Sequence, residues 1–310
     1  MTTGAWTLDD MPDQSGRTVV VTGVSVGGLG HHTALELARR GARVVLAGRT
    51  ESRLAATGAA IREAVPSARL ETLTVDLADL SSVRSAAARA TALGAVDVLV
   101  NNAGVMAPAY SRTVDGLESQ LATNHFGPFL LTGLLLPQLV ASGDGRVVAV
   151  SSNAHRMAAR APLGDPLHEV GRYRRWRVYG ETKLANLLVT YELDRRARRG
   201  GLPVRALAAH PGFAGTHLVV NGQLGSAGGA RASILQAATN AVSQSPVDGA
   251  LPTLMAATDD LPGATYVGPS SFHQWRGLPQ VVSSSAPSHD LESQRRLWGI
   301  SEEVVGLVWP

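Results

Sequence analysis

Tyr179 and Lys183 stand four positions apart in the segment Tyr179-Gly180-Glu181-Thr182-Lys183. On a helix that spacing sets both side chains on one face. A phenol with an unperturbed pKa near ~10 is a poor proton donor or acceptor at neutral pH, and an adjacent ammonium favours its phenolate form. Such a pair could exchange a proton with a substrate oxygen. Of 28 Lys and Arg residues Lys183 is the one lysine, leaving 27 arginines. Arginine does not usefully lose its proton and presents a planar fork, whereas lysine is a compact charge with a tunable pKa. Coding bias accounts for the arginine excess but not for where the exception falls. Tyr-x-x-x-Lys alone is common, and a surface helix pair is its plain alternative. Its weight comes from the company it keeps.

That company begins with Thr22-Gly23-Val24-Ser25-Val26-Gly27-Gly28-Leu29-Gly30, which follows an apolar strand and opens a helix. Glycines there let the backbone approach a pyrophosphate, whose charge the helix N-terminus favours. Gly23, Ser25, Gly28, Leu29 and Gly30 are the candidate contacts. The second strand ends Ala47-Gly48-Arg49. A site selective for NAD usually has an acid in this neighbourhood for the ribose 2′-hydroxyl. Here the carboxylate is missing and a guanidinium is present, which suits a 2′-phosphate. NADP(H) is therefore favoured over NAD(H).

The elements that must position these groups alternate regularly. Strands are expected at Arg17–Thr22, Arg43–Ala47, Leu70–Val75, Val96–Val100, Arg146–Val150 and Val204–Ala208. Helices are expected from the Gly-rich turn to about Arg40, over Glu51–Val65, from Ser81, over about Gly116–Leu136, and over about Tyr179–Arg199. Apolar strands alternating with helices predict an α/β fold: a doubly wound parallel sheet with helices on both faces and ligands at the carboxyl ends of the strands. No linker or repeat divides residues 1–310, so one catalytic domain is expected. Two segments, at about 153–178 and 219–249, break the rhythm and read as substrate lids.

Composition excludes several function classes. With no cysteine there is no disulfide framework, thiolate nucleophile or Cys-ligated metal. The histidines show no metal-ligand spacing with acids, so no metal is expected. The start MTTGAWTLDDMPD is not a secretory signal, and the most apolar stretch, Phe126 to Leu139, is too short to span a bilayer. A cytoplasmic protein is the simplest expectation. Arg172-Tyr-Arg-Arg-Trp-Arg177 could suggest nucleic acid, but a formal charge of +3 argues against it. Trp176 is expected beside Tyr179, with the arginines solvated or facing an anionic substrate. His210 reads as structural, and Trp298 as part of a packed C-terminal helix.

Taken together these features resemble the short-chain dehydrogenase/reductase family, over Gly16 to about Leu218. The likeness includes the Gly-rich turn, Asp76-Leu77, Asn101-Asn102-Ala103-Gly104, Asn124, Ser151-Ser152, Tyr179/Lys183 and Pro211-Gly212. Ala47-Gly48-Arg49, Asn101 to Met106 and the Glu181 to Asn186 segment look like its retinol-dehydrogenase-like branch. The resemblance implies a Rossmann-type fold and a role for each residue. Tyr179 would be the general acid for reduction, or the base for oxidation. Lys183 would lower the phenol pKa and bind the nicotinamide ribose. Ser152 would bind the substrate oxygen, with Ser151 structural, and Asn124 would hold a water linking Lys183 to solvent. Asp76 would meet the adenine amino group beside Leu77, while Asn102, Ala103 and Gly104 would line the adenosine ribose. Pro211, Gly212 and Thr216 would hold the nicotinamide.

Two features depart from the family pattern. Its usual turn, T-G-x-x-x-G-x-G, has one residue fewer than Thr22–Gly30, so the extra residue must bulge within Val24–Gly27, where Gly27 is able to absorb the strain. Ser152 and Tyr179 are also 27 positions apart, which the branch accommodates as part of the substrate wall. The expected activity is an NADP(H)-dependent interconversion of alcohol and ketone or aldehyde on a small apolar substrate. An epimerase that retains its cofactor and a non-catalytic nucleotide sensor are the alternatives. A homodimer through the Asn124 and Lys183 helices is possible, with a C-terminal tail that either blocks or extends it.

Overall fold

The computed structural model describes residues 6–161, 172–212, 244–271 and 273–310. Eight strands form one sheet in the order β3-β2-β1-β4-β5-β6-β7-β8. They are β1 Thr18–Thr22, β2 Arg43–Gly48, β3 Arg69–Thr74, β4 Val98–Asn101, β5 Gly145–Val150, β6 Val204–Ala209, β7 Tyr266–Ser271 and β8 Arg276–Val281. Pairing is parallel from β3 to β7, and β8 returns antiparallel on β7. The strand order reverses between β1 and β4, opening a crevice at their carboxyl ends, the usual ligand position of a doubly wound sheet.

Alternation along the strands divides the core into two layers. Val20, Val45, Leu99 and Val147 face one layer, with α3 (Leu80–Ala90), α4 (Gly127–Ala141), α5 (Arg175–Arg199) and α7 (Leu291–Val305). Val19, Val21, Val44, Leu46, Val98 and Val100 face the other, with α1 (Leu29–Arg39), α2 (Glu51–Ala64) and α6 (Pro246–Thr258). Because strands buried on both faces need no polar side, β1 reads Thr-Val-Val-Val-Thr and is buried throughout.

Three elements differ from the sequence expectation in ways that matter for the site. The helix expected over about Gly116–Leu136 is broken: a short turn at Ser119–Leu121 passes into a π turn at Ala122–Phe126, and α4 follows. A widened π turn accommodates a residue that the α register would misdirect, and here it contains Asn124. Next, α5 begins at Arg175, so Tyr179 lies in its second turn instead of opening it. Finally, β7 and β8 have no counterpart in the expected strands. They carry Pro269 and Pro279 opposite one another, Pro269 past the end of the β6–β7 pairing and beside a register shift and Pro279 on the edge strand, places where a sheet tolerates proline.

The C-terminal helix α7 packs on α5 and α4. Trp298 is fully buried, stacks edge-on against Phe129 with ring centroids 5.0 Å apart, and carries the Arg196 guanidinium over its own ring at 4.5 Å. Trp309 also reaches Phe129 at 5.0 Å and lies 4.6 Å from Trp298, so the three rings form one cluster. Ser301 Oγ is 2.7 Å from His125 Nε2 in the π turn.

Candidate functional site

At the carboxyl end of β1 the chain must pass very close to β4. Gly23 has φ of +73°, and a Cβ there would lie 2.7 Å from Ala103 Cα. A Cβ on Gly30 would lie 2.5 Å from both Asn102 Nδ2 and the Gly23 carbonyl. The extra residue of the turn is taken up in a tight Ser25–Gly28 reversal, where the Gly28 amide donates to Ser25 O at 2.9 Å. Gly27 takes the left-handed conformation at φ +76°, and its amide donates to His31 Nδ1 at 3.2 Å. His31 Nε2 is buried without a partner. Gly28 precedes α1 with no side chain capping the helix amides, so the N-terminal amides of α1 keep donor capacity for an anion.

The adenosine side of the expected site is only partly built from side chains. Arg49 Nη1 and Asp76 Oδ2 face one another at 3.9 Å, and the Arg49 side chain is 70% exposed. Asp76 also accepts the Ala78 amide at 2.9 Å. Asn102 is committed elsewhere: its Nδ2 donates to Thr22 O at 2.8 Å and Gly23 O at 3.0 Å, stitching β4 to the glycine turn. The Leu77 side chain is buried in the core, which leaves its backbone to meet an adenine.

The reactive groups converge at the ends of β4, β5 and α5. Gly180 allows α5 to pack on the turn after Ser152, since a Cβ there would lie 2.8 Å from Ala154 O. Ser151 Oγ donates to the Lys183 carbonyl at 2.8 Å. Ser152 Oγ accepts the Ala154 amide at 3.2 Å. Trp176 packs edge-on against Tyr179 with centroids 6.0 Å apart, as expected. Tyr179 and Lys183 share one face of α5, with the ammonium 5.7 Å from the ring centroid. Lys183 Nζ donates to Val150 O at 3.0 Å and is buried; beside it, a Cβ on Gly104 would lie 3.6 Å away.

The electrostatics correct one expectation. Burial pushes the Tyr179 phenol up to about 12, with the Ser152 hydroxyl drawing it down, and burial pulls the Lys183 ammonium down to about 8. Desolvation, not the ammonium, therefore dominates the phenol in this state. Asn124 is also more occupied than the sequence suggests. Its Oδ1 accepts the Val105 amide at 2.7 Å, and its Nδ2 donates to Val105 O at 2.9 Å and Thr182 Oγ1 at 3.1 Å. Both amide protons of Asn124 are therefore spent on protein, and Oδ1 keeps one lone pair.

Pro211 and Gly212 continue from β6. Gly212 has φ of +68°, and a Cβ on it would meet the Trp275 carbonyl at 2.3 Å. Gln244 Nε2 donates to Pro211 O at 2.5 Å. Thr216 and most of 219–249 lie outside the described residues, as does part of 153–178. Next to Trp176 a recess of about 430 Å³ is lined by Ala109, Arg172, Tyr173, Arg174 and Arg175. Two contacts were invisible in the sequence: the Val150 carbonyl, because a backbone acceptor leaves no residue signal, and the β7–β8 turn, whose glycines and prolines hid the strands.

Comparison with known proteins agrees with this fold. The profile of the short chain dehydrogenase family matches residues 17–163. Human retinol dehydrogenase 13 is 38% identical over 302 residues, covering 95% of this chain and 86% of that protein. A solved structure of an uncharacterised protein from Mycobacterium paratuberculosis is 42% identical with a TM-score of 0.80, covering 99% of this chain and all of that one. A protein from Beutenbergia cavernae, assigned as an NAD(P)-dependent gluconate 5-dehydrogenase and solved with NADP at low occupancy, is 28% identical with a TM-score of 0.61. That match covers 79% of this chain and 90% of the other.

Proposed function

Because the chain belongs to the short-chain dehydrogenase/reductase family, in its retinol-dehydrogenase-like branch, we propose that it is an NADP(H)-dependent oxidoreductase. It would interconvert a small apolar alcohol with its ketone or aldehyde. The observation that carries the reading is the buried Lys183 ammonium, with its carbonyl acceptor Val150, beside Tyr179 and Ser152. An ammonium has three donors, and an active-site ribose hydroxyl would take up those that Val150 leaves. The close approach at Gly23 and Gly30 and the amides at the start of α1 fit a pyrophosphate, so the residues present suit a dinucleotide. Arg49, without a carboxylate at Gly48, supports a 2′-phosphate.

When bound, the nicotinamide supplies or accepts the hydride. The chain's own residues handle the proton and the orientation. Ser152 would hold the carbonyl oxygen through its hydroxyl. Tyr179, kept protonated by burial, is in the form that donates its proton to that oxygen in reduction. The phenolate left behind faces Lys183. At a separation of about 6 Å and an effective dielectric of about 20, that attraction is worth about 3 kcal/mol, comparable to what burial costs the phenolate. Asn124 would orient the Val105 loop and a water leading from Lys183. Gly104, Ala103 and the backbone near Asn102, Asp76 and Leu77 would line the adenosine, and Pro211, Gly212 and Thr216 the nicotinamide.

The eight-stranded sheet supports one catalytic domain. The packing of α7 supports a monomer with respect to the α4/α5 face, because Trp298 and Trp309 already cover Phe129. Titration with NADPH and NADH followed by a screen of carbonyl compounds tests the whole reading. Failure to bind either dinucleotide would end it.

A further inference from the structure

Two fully buried histidines stand behind the site, His155 three residues after Ser152 and His210 two residues before Gly212. Each ring nitrogen has one partner, and the partners fix the tautomers. His155 Nδ1 lies 2.6 Å from the Ser152 carbonyl, which only accepts, so Nδ1 bears the proton. His155 Nε2 then accepts the Ser285 amide at 3.1 Å. In His210 the polarity is reversed. Its Nδ1 accepts the Gly212 amide at 3.2 Å, which leaves the proton on Nε2, 3.2 Å from Gln274 Oε1. The Tyr266 ring contacts both imidazoles, with centroids 5.7 Å from His155 and 5.2 Å from His210.

We infer that His155 and His210 are positioning residues of opposite tautomer that tie the Ser152 loop and the Gly212 loop to the β7–β8 turn and the segment after it. A third strut runs in parallel, since Asn153 Nδ2 donates to Gln274 O at 3.1 Å. Gln274 thus joins both loops, and it does so from a left-handed backbone, φ +65°, following His273 at φ +53°. Two successive non-glycine residues in that region are costly and persist where the surroundings hold them. Neither imidazole is available for proton transfer, because each ring nitrogen is spent on protein. Charging His155 would put a proton against the Ser285 amide, and charging His210 one against the Gly212 amide. Burial disfavours a charge on either ring, Arg156 adds to this for both, and His155 adds to it for His210.

The inference rests on the proposed roles of Ser152 and Gly212, and its test begins with a readout independent of them. Nitrogen-15 NMR of the full chain, with ring signals identified through His155→Phe and His210→Leu, is expected to show an Nδ1–H tautomer at 155 and an Nε2–H tautomer at 210. The reverse assignment, or rings charged at neutral pH, would overturn it. In kinetics, His155→Phe is expected to lower kcat for carbonyl reduction roughly tenfold while leaving the Kd for NADPH within about twofold. His155→Asn, whose amide can reach the Ser152 carbonyl, is expected to recover part of that loss. His210→Leu is expected to raise the Kd for NADPH roughly tenfold. Equal losses in every parameter for both variants would reduce the histidines to general packing and sink the inference. If the wild-type chain binds no nicotinamide dinucleotide, the proposed function fails, while the tautomers still decide whether the struts exist.

Discussion

Replacing Lys183 by methionine should separate stability from activity. Burial pulls the ammonium from 10.5 down to about 8. That difference corresponds to about 3 kcal/mol by which folding disfavours the charged form at neutral pH. Methionine has a similar shape and no charge to desolvate. What it gives up is the hydrogen bond to Val150 O, worth about 1–2 kcal/mol. That carbonyl is not orphaned, because Asn186 Nδ2 also donates to it at 3.3 Å. The net expectation is a gain on the order of 1–2 kcal/mol, or a Tm raised by roughly 1.5–3 °C in a chain of this size. Carbonyl reduction, followed by nicotinamide absorbance, should fall at least about a hundredfold, because the phenolate loses its counter-charge. The pH dependence is a second check. Between the folded value of about 8 and 10.5 the unfolded chain binds more protons, so wild-type stability should gain relative to Lys183→Met as pH rises through that window. A variant that melts lower than wild type, or one that keeps its turnover, would refute the reasoning.

Tyr179→Phe removes the acid while leaving the ring, so turnover is expected to drop by about 10²–10⁴ with NADPH affinity within about twofold by fluorescence titration. Arg49→Gln should weaken NADPH binding about tenfold and leave NADH unchanged, the signature of a 2′-phosphate contact; equal effects on both dinucleotides would count against that contact. Gly30→Ala puts a methyl 2.5 Å from Asn102 Nδ2 and Gly23 O, and should destabilise the fold by about 1–3 kcal/mol in urea melts while abolishing dinucleotide binding. Light scattering on the full chain should return a monomer. A dimer joined through α4 and α5 would mean that α7 does not hold the position that Trp298 and Trp309 give it.

What the sequence made legible was whatever a single local rule decides. The lone lysine stood out by composition, the glycine turn by its place between strand and helix, and Tyr179 with Lys183 by helical spacing. Five of the six expected strands were readable because burial on both faces leaves near-continuous apolar runs; β3, at the sheet edge, is mostly exposed and shows the pattern least. The misses share a cause: each depends on a partner far along the chain. Asn102 reads as a ribose contact, yet its amide nitrogen is spent on Thr22 and Gly23, about eighty positions away. Tyr179 reads as a phenol tuned by the ammonium on its own helix, yet burial by other elements acts on it more strongly. His210 reads as structural, and it is, but what it braces is visible only once Gln274 arrives from an edge turn that proline and glycine disguise.

Those misses also explain why the reactive groups are held so firmly. Ser152, Tyr179, Lys183 and Gly212 come from three different elements, and no local sequence rule fixes their mutual distances. The fixing is done by hydrogen bonds that cross between elements: Lys183 to Val150, Ser151 to Lys183, Asn124 to Thr182, His155 to the Ser285 amide after β8, and His210 to Gln274 in the β7–β8 turn. The first three are buried, so water cannot substitute cheaply for a lost partner, and breaking one leaves an unpaired group costing about 1–3 kcal/mol. Chemistry that depends on a proton donor and an oxygen-binding hydroxyl at fixed separation is sensitive to displacements of about an ångström. A chain that supplies its reactive groups from separate strands and helices therefore has to spend buried polar residues on bracing them, and it is at those residues that variants should alter rate or affinity without touching substrate.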